Sequence, residues 1–250
     1  MIGVVYKWQV HNKLNGSVFY AFEHAAYLNC PLYLVNINDK DLALLKSIFD
    51  AKYNIPLDII TPISLIDLYK IKLDKTLILD IRTFTEVKEF LSNDIHVFSN
   101  EAHDMFRYKN DRTVTYYGSY KYQNYDIFNY LKLNFNIFQE STGGEGTFVS
   151  GLRVPNSMPN LNKPLLKKHG SGQGDIFNKI DTIHYIHTLL DTNNRIIPEA
   201  FFHNKKIVID DQNPTLIDSI TFRYNDIMEN GLGNYTLSKE DKLVKNMSIG

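Results

Sequence analysis

Short apolar, β-branched runs alternate with helical patterns from the first residues onward, which is the signature of a parallel sheet covered by helices. Strands are predicted over 3–6, 32–37, 57–60, 76–81 and 95–98. Helices are predicted between them over 17–28, 39–51, 64–69 and 84–91, with Ser17 and Asp39 as N-caps. The alternation then restarts: a strand over 113–117, a tight Gly118-Ser119 turn, a helix over 125–133 and a strand over 135–139. From 140 to 175 periodicity gives way to STGGEG, VPNSMPN and HGSGQG, which reads as one long connection. A connection of that length in a compact domain is usually functional or mobile, and a lid that orders on ligand binding is the expectation. The pattern resumes with a strand over 182–187, a polar turn over 191–194, a helix over 197–204 and a strand over 206–210. Helices over 215–229 and 238–247 close it.

This order reads as two Rossmann-like α/β halves, one over 1–110 and one over 111–250. Ligands of such sheets sit at the carboxyl ends of the strands, so a cleft between facing halves is the expected working site. At 44% hydrophobic and 22% charged, 250 residues can bury a sizeable core. The net charge of −1 comes from charges spread along the chain, so a polyanion would have to be held by a local groove. Cys30 is the single cysteine, which excludes a disulfide scaffold and a cysteine zinc site. The opening MIGVVYKWQVHNK lacks a basic region followed by an apolar core of about 7–15 residues, and nowhere do ~18 apolar residues run together. The expectation is a soluble, unprocessed protein without membrane association.

Three segments carry candidate chemistry. In TLILDIRTF, an apolar strand ends at Asp80, where a carboxylate facing the crevice can act as a general base and Arg82 can keep it ionised. The same segment suits a plain structural role, Asp80 capping the helix at Thr83 or Phe84 or pairing with Arg82. In VTYYGSYKYQNYD, Gly118 and Ser119 let backbone N–H groups approach a phosphate and Lys121 adds a point charge, although an ordinary strand-to-helix turn has the same composition. In LLDTNNRIIPEAFF, Arg195 and Glu199 lie four apart on one helix face. They suit a phosphate and a ribose diol respectively, or an ion pair on a solvated helix.

Taken in order, the DIR strand end, the strand-Gly-Ser-aromatic-basic turn and the late Arg-to-Glu helix resemble the phage DNA β-glucosyltransferase family of GT-B enzymes. IHVFSNEAHDMF also resembles the family segment that precedes the second domain. The likeness runs from about 76 to 210 and implies a GT-B-like fold of two facing Rossmann-like domains. It implies that Asp80, with Arg82 beside it, is the base that takes the acceptor's proton, with inversion at the anomeric carbon. It implies that Gly118, Ser119 and Lys121 hold the diphosphate of a UDP-sugar, that Glu199 binds the ribose hydroxyls and that Arg195 binds a phosphate. The donor sugar would be glucose and the acceptor a hydroxymethylated pyrimidine in duplex DNA, flipped out of its stack. A monomer in the cytoplasm of a bacterial or phage-infected cell would follow.

The chain departs from that family at Tyr125, where a second arginine is expected; Lys167, Lys168 or Arg153 would have to stand in. Arg195 is also one residue farther from Glu199 than the family spacing, and the chain is shorter than the family's members. Mg2+ or Mn2+ can assist a diphosphate, but neither a required cofactor nor a dedicated metal site is expected. His184 and His187 fall on opposite faces of one strand and make poor joint ligands. His11, Asn12, Lys13 and His24 flank the first strand-to-helix loop and suit either the cleft or the surface. Trp8 suits stacking on a sugar or buried packing. Two further readings stay open: a saccharide or small-molecule acceptor, and a nucleotide-binding module without catalysis.

Overall fold

The computed structural model describes residues 1–9, 15–91, 94–99, 114–118, 131–141, 143–150, 165–166, 176–187, 194–211 and 219–248. Ser119, Lys121, Tyr125, Arg153, Lys167, Lys168 and the residues 10–14 with His11 lie outside them. So does most of the helix expected over 125–133.

The chain divides into two units, one made of 1–46, 55–137 and 236–250, the other of 47–54 and 138–235. The first holds strands β1 (Ile2–Lys7), β2 (Leu32–Val35), β3 (Ile60–Ile63), β4 (Lys75–Ile78), β5 (Asp94–Ser99) and β6 (Val114–Gly118). All pair in parallel in the order β3-β2-β1-β4-β5-β6. This is the strand order of a Rossmann-like sheet, wound outward in both directions from β1 and β4. β6, expected to open the second half, is the edge strand of this first sheet, with Ser99 opposite Gly118. Alternation along a chain announces a strand but carries no information about which sheet it joins.

Helices α1 (Gly16–Tyr27), α2 (Asp39–Asp50), α3 (Leu65–Lys70) and α4 (Ile81–Val87) follow β1 to β4. The caps differ from expectation. Asn15, not Ser17, caps α1, its Oδ1 accepting from the N–H groups of Ser17 (3.0 Å) and Val18 (3.3 Å). Asn38 accepts from the Asp41 N–H at 2.9 Å, leaving Asp39 as a first-turn residue. Asparagine caps as well as serine, and its amide oxygen sits nearer the free N–H groups here. At its other end α1 stops in a Schellman turn: Asn29, at φ 50°, donates to Ala26 O and Cys30 donates to Ala25 O.

Below the sheet, Val5, Tyr33, Val35, Ile78 and Val97 pack on Leu68, Phe84 and Val87. The short segment 75–79 is buried almost throughout, as a central parallel strand requires. After residue 235 the chain returns to this unit, where α8 (Lys242–Met247) lies against β4.

The second unit is built on a sheet of order β10-β9-β7-β8, all parallel: β7 (Gly146–Ser150), β8 (Leu165–Leu166), β9 (Ile180–His187) and β10 (Lys206–Asp211). β7 and β8 correct the reading of 140–175 as one connection. Their apolar runs are short and flanked by glycine and proline, so they left no period to detect. α5 (Ile176–Lys179) runs straight into β9, α6 (Ile196–Phe202) precedes β10, and α7 (Ser219–Asn230) follows it. The strand expected over 135–139 is instead a turn of 3-10 helix, Phe135–Ile137. Ile137 and Phe138 are both buried, which a half-exposed strand cannot arrange.

Candidate functional site

Because every strand of the first sheet is parallel, their carboxyl ends line one edge. The connections from β1 and β4 leave that edge in opposite directions, which makes the gap between them the topological switch point where such sheets hold ligands. Asp80 stands there, two residues beyond β4. It caps α4: its Oδ2 accepts from the Thr83 N–H at 3.1 Å and from the Thr83 hydroxyl at 3.2 Å. Burial pushes its carboxyl above the ordinary carboxylate range, while the bonds from Thr83 and the nearby Arg82 guanidinium oppose the rise. Arg82 itself is exposed.

β1 closes the other side of this point. Tyr6 is 0% exposed, and its hydroxyl donates to Asn15 Oδ1 at 3.2 Å. Burial, and secondarily the charge of Asp80, push the phenol up, so it stays protonated and available as a donor. The last amide of β1 is tied to α4, since the Lys7 N–H donates to Thr83 Oγ1 at 3.1 Å. The Lys7 ammonium pairs with Glu86, to which Gln9 Nε2 also donates at 3.5 Å.

Trp8 is buried and its indole N–H donates to Asp41 at 2.9 Å, so it packs rather than presenting a stacking face. His24 is likewise buried within α1, its Nδ1 on Tyr20 O at 2.8 Å. The N–H groups of Ser17 and Val18 in the first turn of α1 are taken by Asn15, so this helix start does not offer them to a phosphate.

Gly118 ends β6 on the same sheet edge as Asp80, with β5 between them. Two strand spacings separate their strands, about 10 Å. Asp80, Arg82 and Gly118 thus belong to one unit.

Arg195 and Glu199 belong to the other unit, at the start of α6. They form the ion pair that their spacing allows, but in a buried setting: Glu199 is 2% exposed. Its second oxygen accepts from Lys52 Nζ at 2.6 Å, a partner from the segment 47–54. Burial alone would raise the Glu199 carboxyl; the Arg195 and Lys52 cations outweigh it and hold the carboxyl below its usual range. Lys52 also lies over the rings of Phe138 (5.1 Å), Phe177 (5.7 Å) and Tyr53 (5.9 Å). Arg195 Nη2 approaches the Tyr53 hydroxyl at 3.5 Å. As it stands the group anchors α6 to residues 47–54, and a ribose would have to displace a cation to reach Glu199.

Sequence reasoning missed Lys52, because its partner lies 147 residues away and nothing local marks it. The capping of α4 at Thr83 by Asp80 was legible in the sequence and is what the structure has. His184 lies in β9 beside the β10 strand, and among the described residues no group of three or more His, Cys, Asp or Glu side chains is placed to hold a metal ion. No described helix is long and apolar enough to cross a membrane. No family model, no curated protein and no solved structure matches this chain.

Proposed function

We propose that the protein is a nucleotide-sugar-dependent glycosyltransferase of the GT-B kind, with Asp80 as the general base. The observation that carries this reading is a half-buried carboxylate of raised pKa at the switch point of a Rossmann-like sheet. Asp80 takes the acceptor's hydroxyl proton as that oxygen attacks the anomeric carbon. The bond to the diphosphate breaks on the opposite face, its electron pair leaves on the nucleotide, and the product anomer is inverted. The buried phenol of Tyr6 and the capping bonds from Thr83 fix the shape of the acceptor side. The diphosphate of a UDP-sugar is assigned to the turn Gly118, Ser119 and Lys121, which begins at the end of β6 in the same unit as Asp80. Mg2+ or Mn2+ in solution can accompany the diphosphate. Hydroxymethylated pyrimidine in duplex DNA is the acceptor proposed first; a saccharide is the alternative, in keeping with a net charge of −1.

A second reading, a nucleotide-binding module without catalysis, is favoured by one observation: both hydrogen bonds accepted by Asp80 Oδ2 come from its own helix. The test is transfer from UDP-glucose to hydroxymethylated duplex DNA and to a saccharide panel, run beside Asp80→Asn. Transfer that falls at least about a thousandfold in the variant, with donor binding kept, supports the base assignment. Donor binding without transfer in either protein supports the module, and no thermal shift with any nucleotide sinks both.

A further inference from the structure

The junction between β1 and α4 contains a short relay that ends on Asp80. The Lys7 N–H donates to Thr83 Oγ1 at 3.1 Å, and the Thr83 hydroxyl donates to Asp80 Oδ2 at 3.2 Å. Thr83 is fully buried. A hydroxyl has one hydrogen; with a lone pair committed to the Lys7 amide, that hydrogen is directed at the carboxylate. The Thr83 N–H reaches the same oxygen at 3.1 Å, so both bonds converge on Oδ2 and hold the carboxyl plane.

We propose that Thr83 is a positioning residue for the general base, holding Asp80 in its ionised form and in one orientation by way of the last amide of β1. The proposal rests on the glycosyltransferase reading above for its catalytic consequence, and on geometry alone for its effect on Asp80. Among the described residues, the other groups facing this carboxyl are the Tyr6 phenol from β1 and the Arg82 guanidinium on α4. The Lys7 ammonium at the same junction is engaged by Glu86.

The test is a carbon-13 NMR titration of the Asp80 carboxyl in the full chain, assigned with Asp80→Asn, in parallel with the pH profile of transfer. Thr83→Val keeps the shape and removes the donor, and Thr83→Ser keeps the donor. The valine variant should raise the Asp80 midpoint by about one pH unit, the size of one hydrogen bond to a charged group. The serine variant should restore the wild-type midpoint, and the acid limb of transfer should move with the midpoint. If Thr83→Val does not fold, Thr83→Cys, whose thiol donates weakly, reads the same displacement. An unmoved midpoint in the folded variant overturns the positioning role. A midpoint that moves while the acid limb stays still leaves Thr83 acting on Asp80 but overturns Asp80 as the base.

Discussion

Glu199 offers the sharpest energetic test, since its carboxylate lies between two cations at 2% exposure. Glu199→Gln preserves the volume of the side chain and removes its charge, leaving Lys52 and Arg195 buried beside each other without it. Breaking a buried ion pair from one side costs roughly 3–5 kcal/mol. Lys52→Met should cost less, roughly 1–2 kcal/mol, because it leaves the balanced Arg195–Glu199 pair and the aromatic rings around the former ammonium accept a thioether. The pH dependence has a definite sign. A carboxyl held below its unfolded value contributes stability that is present above about pH 4.5 and is lost as pH falls through the folded value. Glu199→Gln should therefore flatten the acid side of the stability curve as well as lower its plateau. Urea unfolding followed by far-UV circular dichroism measures both. Trp8, the single tryptophan and part of the first unit, reports separately on that unit. A cost below about 1 kcal/mol, with the acid limb unchanged, would refute the reasoning, because a two-cation clasp cannot lose its carboxylate so cheaply.

Two further outcomes follow from buried titrating groups. Burial pushes the Cys30 thiol up to about 12, so at pH 8 its reaction with a disulfide reagent should run at least about a thousandfold slower than a free cysteine's and recover in denaturant; prompt labelling of the folded chain would contradict it. Burial, opposed by Glu199 and reinforced by Lys52, pushes His203 down to about 4, so its proton NMR midpoint should lie there. A histidine depressed in the folded state makes stability fall as pH drops from about 6.5 toward 4, and His203→Gln should remove that slope; a midpoint near 6.5 would count against the stacked placement on Phe177.

The first sheet was largely legible in the sequence because its strands are buried runs bounded by polar turns. β1, β2, β5 and β6 fall within a residue or two of the predicted spans, β4 ends three residues earlier than predicted, and β3 lies three residues later than predicted. The position of Asp80 at the end of its strand was legible too, since the apolar run of β4 stops there. What was not legible is of two kinds. β7 and β8 are short and embedded among glycines and prolines, and their strand character comes from pairing, β7 with β9 and β8 with β7, which is a tertiary property. The partners of the site residues are nonlocal: Lys52 meets Glu199, and the Lys7 amide meets Thr83, across sequence gaps that no spacing rule can bridge. The burial of the Arg195–Glu199 pair is a third instance, because the helical spacing predicts the pair but not the solvent around it.

The return of residues 236–248 to the first unit makes that unit discontinuous. The Leu237 N–H donates to Leu133 O at 2.8 Å, and the Lys75 ammonium donates to the carbonyls of Asn246 and Ser248 at 2.7 and 3.0 Å. Those carbonyls leave the ribosome only after all of 138–235 has been made. Residues 138–235 are therefore an insertion between two pieces of the first unit, and the second unit also draws on 47–54 from within the first unit's own run. During synthesis β4 waits without α8 against it until residues 242–247 have been made, so the first unit is finished last although its first strand is made first.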